Sequence, residues 1–196
     1  MKLKNSEINR IFDSLGSRRE MRYFSENQSQ TSVFLSHKHD DKKALFAIKH
    51  ILEECGARPY IDWMDADMQH QTNSATASTI KRKIQACDSF ILVATDGAIA
   101  SKWCNWELGY GDAYKYPKKH IALFPVEQDD ATWSGNEYMQ LYPVIEKLNS
   151  GMAMDYYYKG VGSNLNEGYY VIYHNEDRVI AAVPLKVWLL GSNING

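Results

Sequence analysis

The chain has 196 residues, of which 44% are hydrophobic and 23% charged, and its formal net charge is −2. This length predicts one main domain, and the apolar content is enough for a sizeable core. The near-neutral charge gives no sign of binding to nucleic acid, and no apolar run approaches the length of a membrane span. We therefore expect neither nucleic acid nor a membrane as a partner.

The cysteines and the N-terminus indicate a cytoplasmic protein. Cys55, Cys87 and Cys104 are odd in number, form no CxxC pair and lie in apolar or helical contexts, so we interpret them as reduced thiols. The N-terminal MKLKNSEINR lacks the apolar stretch of a signal peptide. Residues 1–30 carry apolar side chains at helical spacing as far as Phe24, then become polar, and are predicted to form an N-terminal helical appendage.

From residue 31 onward, apolar strands alternate with helical patterns. The predicted elements are strands at 33–35, 58–63, 89–95 and 119–126, a helix at 44–55 with Gly56 as C-cap, a helix at 75–86 capped by Ser74 or Thr76, and a helix capped by Ser101. This alternation implies a parallel sheet with right-handed crossovers, whose ligand site lies beyond the carboxyl ends of the strands. Those ends fall at His37-Lys38, Asp62-Trp63 and Thr95-Asp96.

The part of the chain after residue 126 gives weaker signals. In order, it is predicted to contain a helix at 138–148 interrupted by Pro143, an irregular stretch at 149–166, two strands at 169–174 and 178–183, and a closing helix at 184–190 that packs through Leu185, Trp188 and Leu189.

The segment Ser101–Tyr110, SKWCNWELGY, places one carboxylate in a run of aromatic residues. On a helix, Trp103, Glu107, Tyr110 and Tyr114 can share one face. Burying a charged carboxylate there is costly unless a cation or a hydrogen-bond donor meets it. Two interpretations stay open at this point. Either Glu107 lies at the edge of the stripe with its head in water, or it is a functional group.

Four segments occur in a recognisable order and spacing: VFLSHKHDD at 33–41, YIDW at 60–63, TASTIKRKI at 76–84 before SFILVAT, and SKWCNWELGY at 101–110. Together they resemble the Toll/interleukin-1 receptor (TIR) domains, specifically those of stand-alone bacterial proteins. The specific match covers about residues 31–126, and residues 127–196 are more divergent. The resemblance implies a flavodoxin-like α/β fold over 31–196, with a central parallel sheet flanked by helices.

For bacterial members of this family, the resemblance implies cleavage of NAD. Glu107 occupies the position of the family's catalytic glutamate, in a WxxxE-type segment that begins at Trp103. Ser36, His37 and Lys38 correspond to the segment that lines the NAD pocket in such enzymes. NAD is expected as the substrate, with no further cofactor and no metal.

The loop after the second strand covers the site and mediates assembly in this family, which implies self-association through residues 64–74. A proline often follows the methionine of that loop, whereas Met68 is followed by Gln69 here, so the loop's conformation departs from the common pattern. At its start, Asp62 either orients the site or caps the loop, and Trp63 is either a core residue or a wall of the site.

One carboxylate is enough for this chemistry. Breaking the nicotinamide–ribose bond passes through an oxocarbenium-like centre, and the cationic nicotinamide leaves without a general acid. Glu107 can stabilise the ribosyl cation and hold the ribose hydroxyls, which is transition-state electrostatics in a water-poor site. Trp103 can stack on nicotinamide or exclude water, and Lys38 can meet phosphate oxygens as a point charge.

The product and two other function classes stay open. The ribosyl cation can react with water, with a hydroxyl or ring nitrogen of the same molecule, or with another small molecule. Bacterial TIR proteins of Thoeris antiphage defence make signal nucleotides that activate a separate effector, and the resemblance implies this role. The alternatives are a non-catalytic assembly module acting through the loop at 64–74, and a nucleoside deoxyribosyltransferase, which also uses a glutamate at an anomeric carbon.

Two further patterns carry no function. His37 and His39 could form half of a metal site, but no nearby cysteine or carboxylate set completes it. Gly109 and Gly111 resemble the start of a dinucleotide fingerprint, but they lie inside a predicted helix and Tyr114 replaces the third glycine.

Overall fold

The computed structural model describes residues 1–17, 31–64, 73–149, 165–175 and 178–191. The strands are β1 (Leu3–Lys4), β2 (Thr31–Ser36), β3 (Ala57–Tyr60), β4 (Ser89–Ala94), β5 (Ile121–Glu127), β6 (Val144–Leu148), β7 (Gly168–Asn175) and β8 (Arg178–Pro184). The α-helices are α1 (Asn5–Ser17), α2 (Lys42–Glu54), α3 (Ser74–Ala86), α4 (Asp96–Ala100), α5 (Lys102–Lys115) and α6 (Leu185–Leu189), and short 3-10 turns lie at Asp62–Met64, Tyr116–Lys118 and Glu137–Leu141.

The described strands form one mixed sheet in the order β3-β2-β4-β5-β6-β7-β8. Strands β2 to β6 pair in parallel, and β7 and β8 continue the sheet in antiparallel pairing. The order of the parallel strands is that of flavodoxin-like sheets, in which the chain reverses direction at the first strand. The predicted α/β fold with a central parallel sheet flanked by helices is confirmed.

Strand β4 lies at the centre, and all of its residues are buried. Ile91 and Val93 pack on one face, in a core that includes apolar residues of α1, α2 and α6. Phe90 and Leu92 pack on the other face, with apolar residues of α3 and α5. The unbroken apolar run of this strand reflects these two covered faces.

Short capping contacts fix where the helices begin. The Ser101 side chain accepts a hydrogen bond from the Cys104 N–H at 3.3 Å, which confirms it as the N-cap of α5. Helix α3 is capped by Asn73, whose side-chain oxygen accepts from the Thr76 N–H at 2.9 Å, so the predicted caps Ser74 and Thr76 are wrong. Asparagine is a strong N-cap because its short side chain reaches the free N–H groups of the first turn.

Two predicted elements differ in the structure. Strand β3 ends at Tyr60 rather than at 63, and Asp62 and Trp63 lie in the 3-10 turn that follows it. The predicted helix at 138–148 is wrong, because a 3-10 turn and strand β6 occupy this part of the chain. Strand β6 forms because it completes the sheet between β5 and β7, with Val144 opposite Ile172.

The first residues of the chain join the sheet. Strand β1 pairs in parallel with the end of β5, with Leu3 opposite Val126. On its other side, the backbone of Met1 exchanges hydrogen bonds with Lys147 of β6 at 2.8 and 2.9 Å. Residues 1–4 therefore lie between the carboxyl-terminal parts of β5 and β6, and α1 packs on α2.

The other predictions divide between confirmed elements and residues outside the described part. The strands at 169–174 and 178–183 and the closing helix with its buried Leu185, Trp188 and Leu189 are confirmed. Most of the predicted assembly loop, the predicted irregular stretch and residues 18–30 lie outside the described residues. Among the described residues, no helix is long and apolar enough to cross a membrane.

The two glycines of α5 provide a test of its packing. A Cβ at Gly111 would lie 2.9 Å from the ring of the fully buried Phe90, whereas a Cβ at Gly109 would meet nothing within 4 Å. Gly111→Ala is expected to lower the free energy of unfolding by roughly 1–3 kcal/mol through overpacking. Gly109→Ala, its matched control, should raise it by roughly 0.5–1 kcal/mol through helix propensity. Denaturant titration of both variants measures this, and equal effects would contradict the tight contact with Phe90.

Candidate active site

The carboxyl end of β2 and the buried face of α5 meet at one side chain. Glu107 is only 3% exposed, although it lies in the middle of a helix with a partly exposed aromatic face. The Ser36 hydroxyl donates a hydrogen bond to Glu107 Oε2 at 2.5 Å. The Trp103 side chain also hydrogen-bonds this carboxyl group. The interpretation in which Glu107 keeps its head in water is therefore wrong.

Glu107 does not share the aromatic stripe. The stripe consists of Trp103, Trp106, Tyr110 and Tyr114, whose neighbouring ring centroids lie 4.8, 6.1 and 5.1 Å apart. Lys81 of α3 lies over two of these rings, 5.7 Å from Trp106 and 5.3 Å from Tyr110. The aromatic rings cover one side of α5, and Glu107 points from the adjacent side toward the end of β2.

The start of α5 is tied to α4, the short helix that precedes it and that has its own side-chain cap. Thr95 caps α4 by accepting from the Ala98 N–H at 3.0 Å. The Asn105 side chain donates to the Ile99 carbonyl at 2.9 Å, which ties α5 to the end of α4. These contacts fix the helical turn that carries Trp103 and Glu107. A site placed on a rigid helix keeps its geometry better than one placed on a loop.

Burial sets the ionisation of the carboxyl group. It raises the pKa of Glu107 to about 8, and the nearby negative charge of Asp62 acts in the same direction. The hydrogen bonds from Ser36 and Trp103 act against this rise, because they favour the charged form. In the ligand-free protein Glu107 is therefore mostly protonated at neutral pH. A positive charge arriving beside it would favour ionisation.

The neighbouring thiol is not a nucleophile. Cys104 is buried beside Glu107, and burial raises the pKa of its thiol to about 11. A protonated thiol is a poor nucleophile, so Cys104 is not a candidate nucleophile at neutral pH.

His37 and Asp62 form a second polar pair at the same edge of the sheet. The His37 side chain is 4% exposed, and its Nε2 lies 3.7 Å from Asp62 Oδ1. The other ring nitrogen, Nδ1, lies 2.9 Å from the Leu35 carbonyl oxygen. Burial lowers the pKa of His37, although the Leu35 carbonyl and the charge of Asp62 partly oppose this, so the ring is neutral at neutral pH.

The described contacts of Lys38, another predicted site residue, are with Asp40 and with the start of α4. The Lys38 side chain is 42% exposed and its Nζ lies 4.0 Å from the Asp40 carboxylate. A Cβ at Gly97 would lie 2.9 Å from Lys38 Cδ, so this lysine crosses the start of α4. Of the predicted site residues, Ser36 and Trp103 contact Glu107 directly, and the charge of Asp62 acts on it electrostatically.

A loop that the sequence analysis did not select also contacts the elements that support the site. Trp133 donates through Nε1 to the Ala94 carbonyl at 2.8 Å, at the end of β4. Asn136 donates to the Ile99 carbonyl at 3.2 Å, and the Tyr138 hydroxyl donates to Asn105 Oδ1 at 2.5 Å. The signal for this loop is a tryptophan within an otherwise polar stretch, Gln128–Gly135.

A separate cleft of about 460 Å³ opens near the first turns of α1 and α2, two helices that cover the face of the sheet opposite α5. Its lining includes Asn9, Asp41, Thr95 and Gln128. Glu107 is not among its lining residues within the described structure, so this cleft is distinct from the carboxyl site.

Replacing Glu107 tests its burial without reference to activity. Glu107→Gln should stabilise the protein more and more as the pH rises from 4.5 to 8. Folded wild-type protein keeps this proton up to about pH 8, whereas the unfolded chain loses it near 4.5, so wild-type stability falls across this window. Glutamine stays neutral throughout. We expect a Tm gain of roughly 5 °C or more at pH 8.5 and a much smaller one at pH 5. A gain that does not change with pH would contradict a buried, protonated Glu107.

Comparisons with known proteins agree with this architecture. The chain is 27% identical over 164 residues to the "Probable 3' cyclic ADP-D-ribose synthase ThsB'" of Bacillus cereus (strain MSX-D12), covering 74% of this chain and 82% of that relative. It is 26% identical over 88 residues to the "Putative cyclic ADP-D-ribose synthase TIR2" of Cytobacillus dafuensis, covering 43% of this chain and 23% of that relative. Residues 33–146, more than half of the chain, match the TIR domain family, and the protein belongs to this family.

Proposed function

We propose that this protein cleaves the nicotinamide–ribose bond of NAD and converts the ADP-ribosyl part into a cyclic ADP-ribose signal. The observation that carries the proposal is the buried carboxyl group of Glu107, held by Ser36 and Trp103 at the carboxyl edge of the sheet. Support comes from the TIR family match and from two relatives that are named cyclic ADP-D-ribose synthases.

The charge of the substrate complements this site. The nicotinamide–ribose unit of NAD is cationic, so its binding beside Glu107 favours loss of the carboxyl proton. As the bond to nicotinamide lengthens, positive charge moves onto the ribose, and the carboxylate stabilises it from a position fixed before the reaction. Nicotinamide leaves as a neutral molecule with the bonding electron pair. Glu107 therefore acts mainly in the transition state, which raises kcat.

The two donors that hold Glu107 have separate roles. Ser36 fixes the carboxyl group from the strand side and favours its charged form. Trp103 fixes it from the helix side, and its half-buried ring supplies an apolar surface for nicotinamide. His37, Lys38, Asp62 and Trp63 remain predicted substrate-binding residues.

Membership of the TIR family also supports a proposal about the cellular location and the partners of this protein. We propose that the protein acts in the cytoplasm, which its three free cysteines support, and that it takes NAD as substrate without another cofactor. Its nucleotide product would activate a separate effector in antiphage defence. We also propose that copies of this protein associate with one another through residues 64–74.

The central experiment is NAD turnover by purified wild-type protein and by Glu107→Gln, with nicotinamide and nucleotide products resolved by chromatography and mass. We expect wild-type protein to release nicotinamide and the variant to lose at least about 1,000-fold in kcat, because it cannot carry the negative charge. Glu54→Gln is the matched control, since that side chain is 68% exposed on α2.

Wild-type turnover in a folded Glu107→Gln variant would remove Glu107 from the mechanism. Absence of nicotinamide release from wild-type protein, with crowding agents included, would favour the assembly module instead.

The pH dependence gives a second test of the proposed function. For wild-type protein, kcat/KM should rise with pH, with its midpoint near pH 8 and a plateau above that, because free Glu107 must lose its proton and burial raises its pKa to about 8. Ser36→Ala removes a donor that favours the charged form, so the midpoint should move up by about one pH unit. Ser78→Ala, at an exposed hydroxyl on α3, is the control. An unchanged midpoint in Ser36→Ala would show that this hydrogen bond does not control the ionisation.

A further inference from the structure

The tautomer of His37 is determined by its surroundings. Its Nδ1 lies 2.9 Å from the Leu35 carbonyl oxygen, which can only accept a hydrogen bond, so Nδ1 carries the hydrogen. In the neutral ring, Nε2 therefore presents its lone pair. Because the side chain is 4% exposed and bonded to its own strand, this lone pair has a fixed direction.

The lone pair of His37 faces a second acceptor. Nε2 lies 3.7 Å from Asp62 Oδ1, which is too far for a hydrogen bond. Two acceptors at this separation can both be reached by a hydroxyl-bearing group, such as the diol of a ribose. Asp62 also raises the pKa of Glu107 through its charge, so it is electrostatically coupled to both His37 and the carboxyl site.

Closing a cyclic product through a hydroxyl requires a proton acceptor. The attacking oxygen gains a bond to the ribosyl carbon and must lose its hydrogen. Glu107 is occupied by the developing ribosyl cation and by the donors from Ser36 and Trp103. A neutral imidazole with an available lone pair is the side chain best suited to accept a proton near neutral pH.

We propose that His37 is the general base for ring closure, accepting through Nε2 the proton of a ribose hydroxyl of the bound substrate, and that Asp62 stabilises the imidazolium that results. This inference rests on the proposed function. The bond between ribose and nicotinamide breaks, and its electron pair leaves with nicotinamide. The hydroxyl oxygen forms the new bond to the same ribosyl carbon, its proton passes to His37, and solvent then takes that proton. Glu107 thus serves bond cleavage, and His37 serves capture of the cation.

The groups that act on His37 define its pH behaviour. Burial and the neighbouring His39 lower its pKa, whereas Asp62, Asp41 and the Leu35 carbonyl raise it. Ring closure requires the neutral ring, so the share of cyclic product should increase as the pH rises through the pKa of His37. Bond cleavage follows Glu107 instead, so rate and product ratio should have different pH profiles.

The decisive variant is His37→Asn. Its amide can keep a donor toward the Leu35 carbonyl but has nothing at the place of Nε2. With purified protein and NAD, we expect the ratio of cyclic product to ADP-ribose to fall at least about tenfold, whatever the variant's total rate of nicotinamide release. His39→Asn, two residues along the same segment, is the matched control and should keep the wild-type ratio.

The outcomes separate this inference from the proposed function. An unchanged ratio in folded His37→Asn, or a parallel loss of nicotinamide and cyclic product, overturns the role of His37 while NAD cleavage stands. A wild-type protein that yields only ADP-ribose also overturns it. A wild-type protein that releases no nicotinamide overturns the proposed function, and the inference with it.

Asp62→Asn tests the partner of the base. The substitution keeps the shape but removes the charge that favours the imidazolium, so the pKa of His37 should fall. The pH at which the cyclic share is half-maximal should therefore move downward, a change that a purely structural role would not produce. An unchanged midpoint would overturn the part assigned to Asp62.

Discussion

The hydrogen bond between Ser36 and Glu107 is the contact on which the site depends. It joins residues 71 positions apart, one at the end of β2 and one on the buried side of α5. A carboxyl group left without donors in this interior would be strongly disfavoured, whether charged or neutral. Ser36 and Trp103 supply these donors and bring no positive charge of their own, so a cationic ligand can still become the counter-ion of Glu107.

The close approach of α5 to the sheet explains how Glu107 reaches the strand end. Gly111 lies one helical turn after Glu107 on the same side of α5, and its missing side chain allows the helix to rest on the Phe90 ring. The large residues of this helix, Trp103, Trp106 and Tyr110, are displaced to the adjacent side, where they stack on each other. One helix thus uses its smallest residue for packing and its aromatic residues for a partly open surface.

The sequence predicts the parts of the fold that depend on local pattern. Strand β4 is recognisable because an unbroken apolar run is typical of a strand covered on both faces. Ser101 is recognisable as an N-cap because it is a serine that directly precedes an amphipathic helical stretch. Strand β6 was not predictable in this way. Its apolar residues Val144, Ile145 and Leu148 fit helical spacing, and only the neighbouring strands make the segment extended.

The candidate site also combines residues that the sequence identifies with contacts that only the folded chain creates. Glu107 and Ser36 come from the family resemblance, but their direct contact depends on the register of β2 and the rotation of α5, which no local pattern specifies. The opposed acceptors of His37 and Asp62 likewise depend on where β3 ends. The Trp133 contact requires a long-range placement of a polar loop against β4.

The position of β1 has a consequence for synthesis of the chain. Strand β1 lies between β5 and β6, and the terminal amine of Met1 contacts Glu146, 145 residues away in sequence. A ribosome makes β1 before β5 and β6, so the binding place of β1 exists only after both of those strands have emerged. Leu3 and Ile8, which end in the core, must stay exposed during that interval. Strand β1 therefore docks late in folding, although it is synthesised well before the strands that it joins.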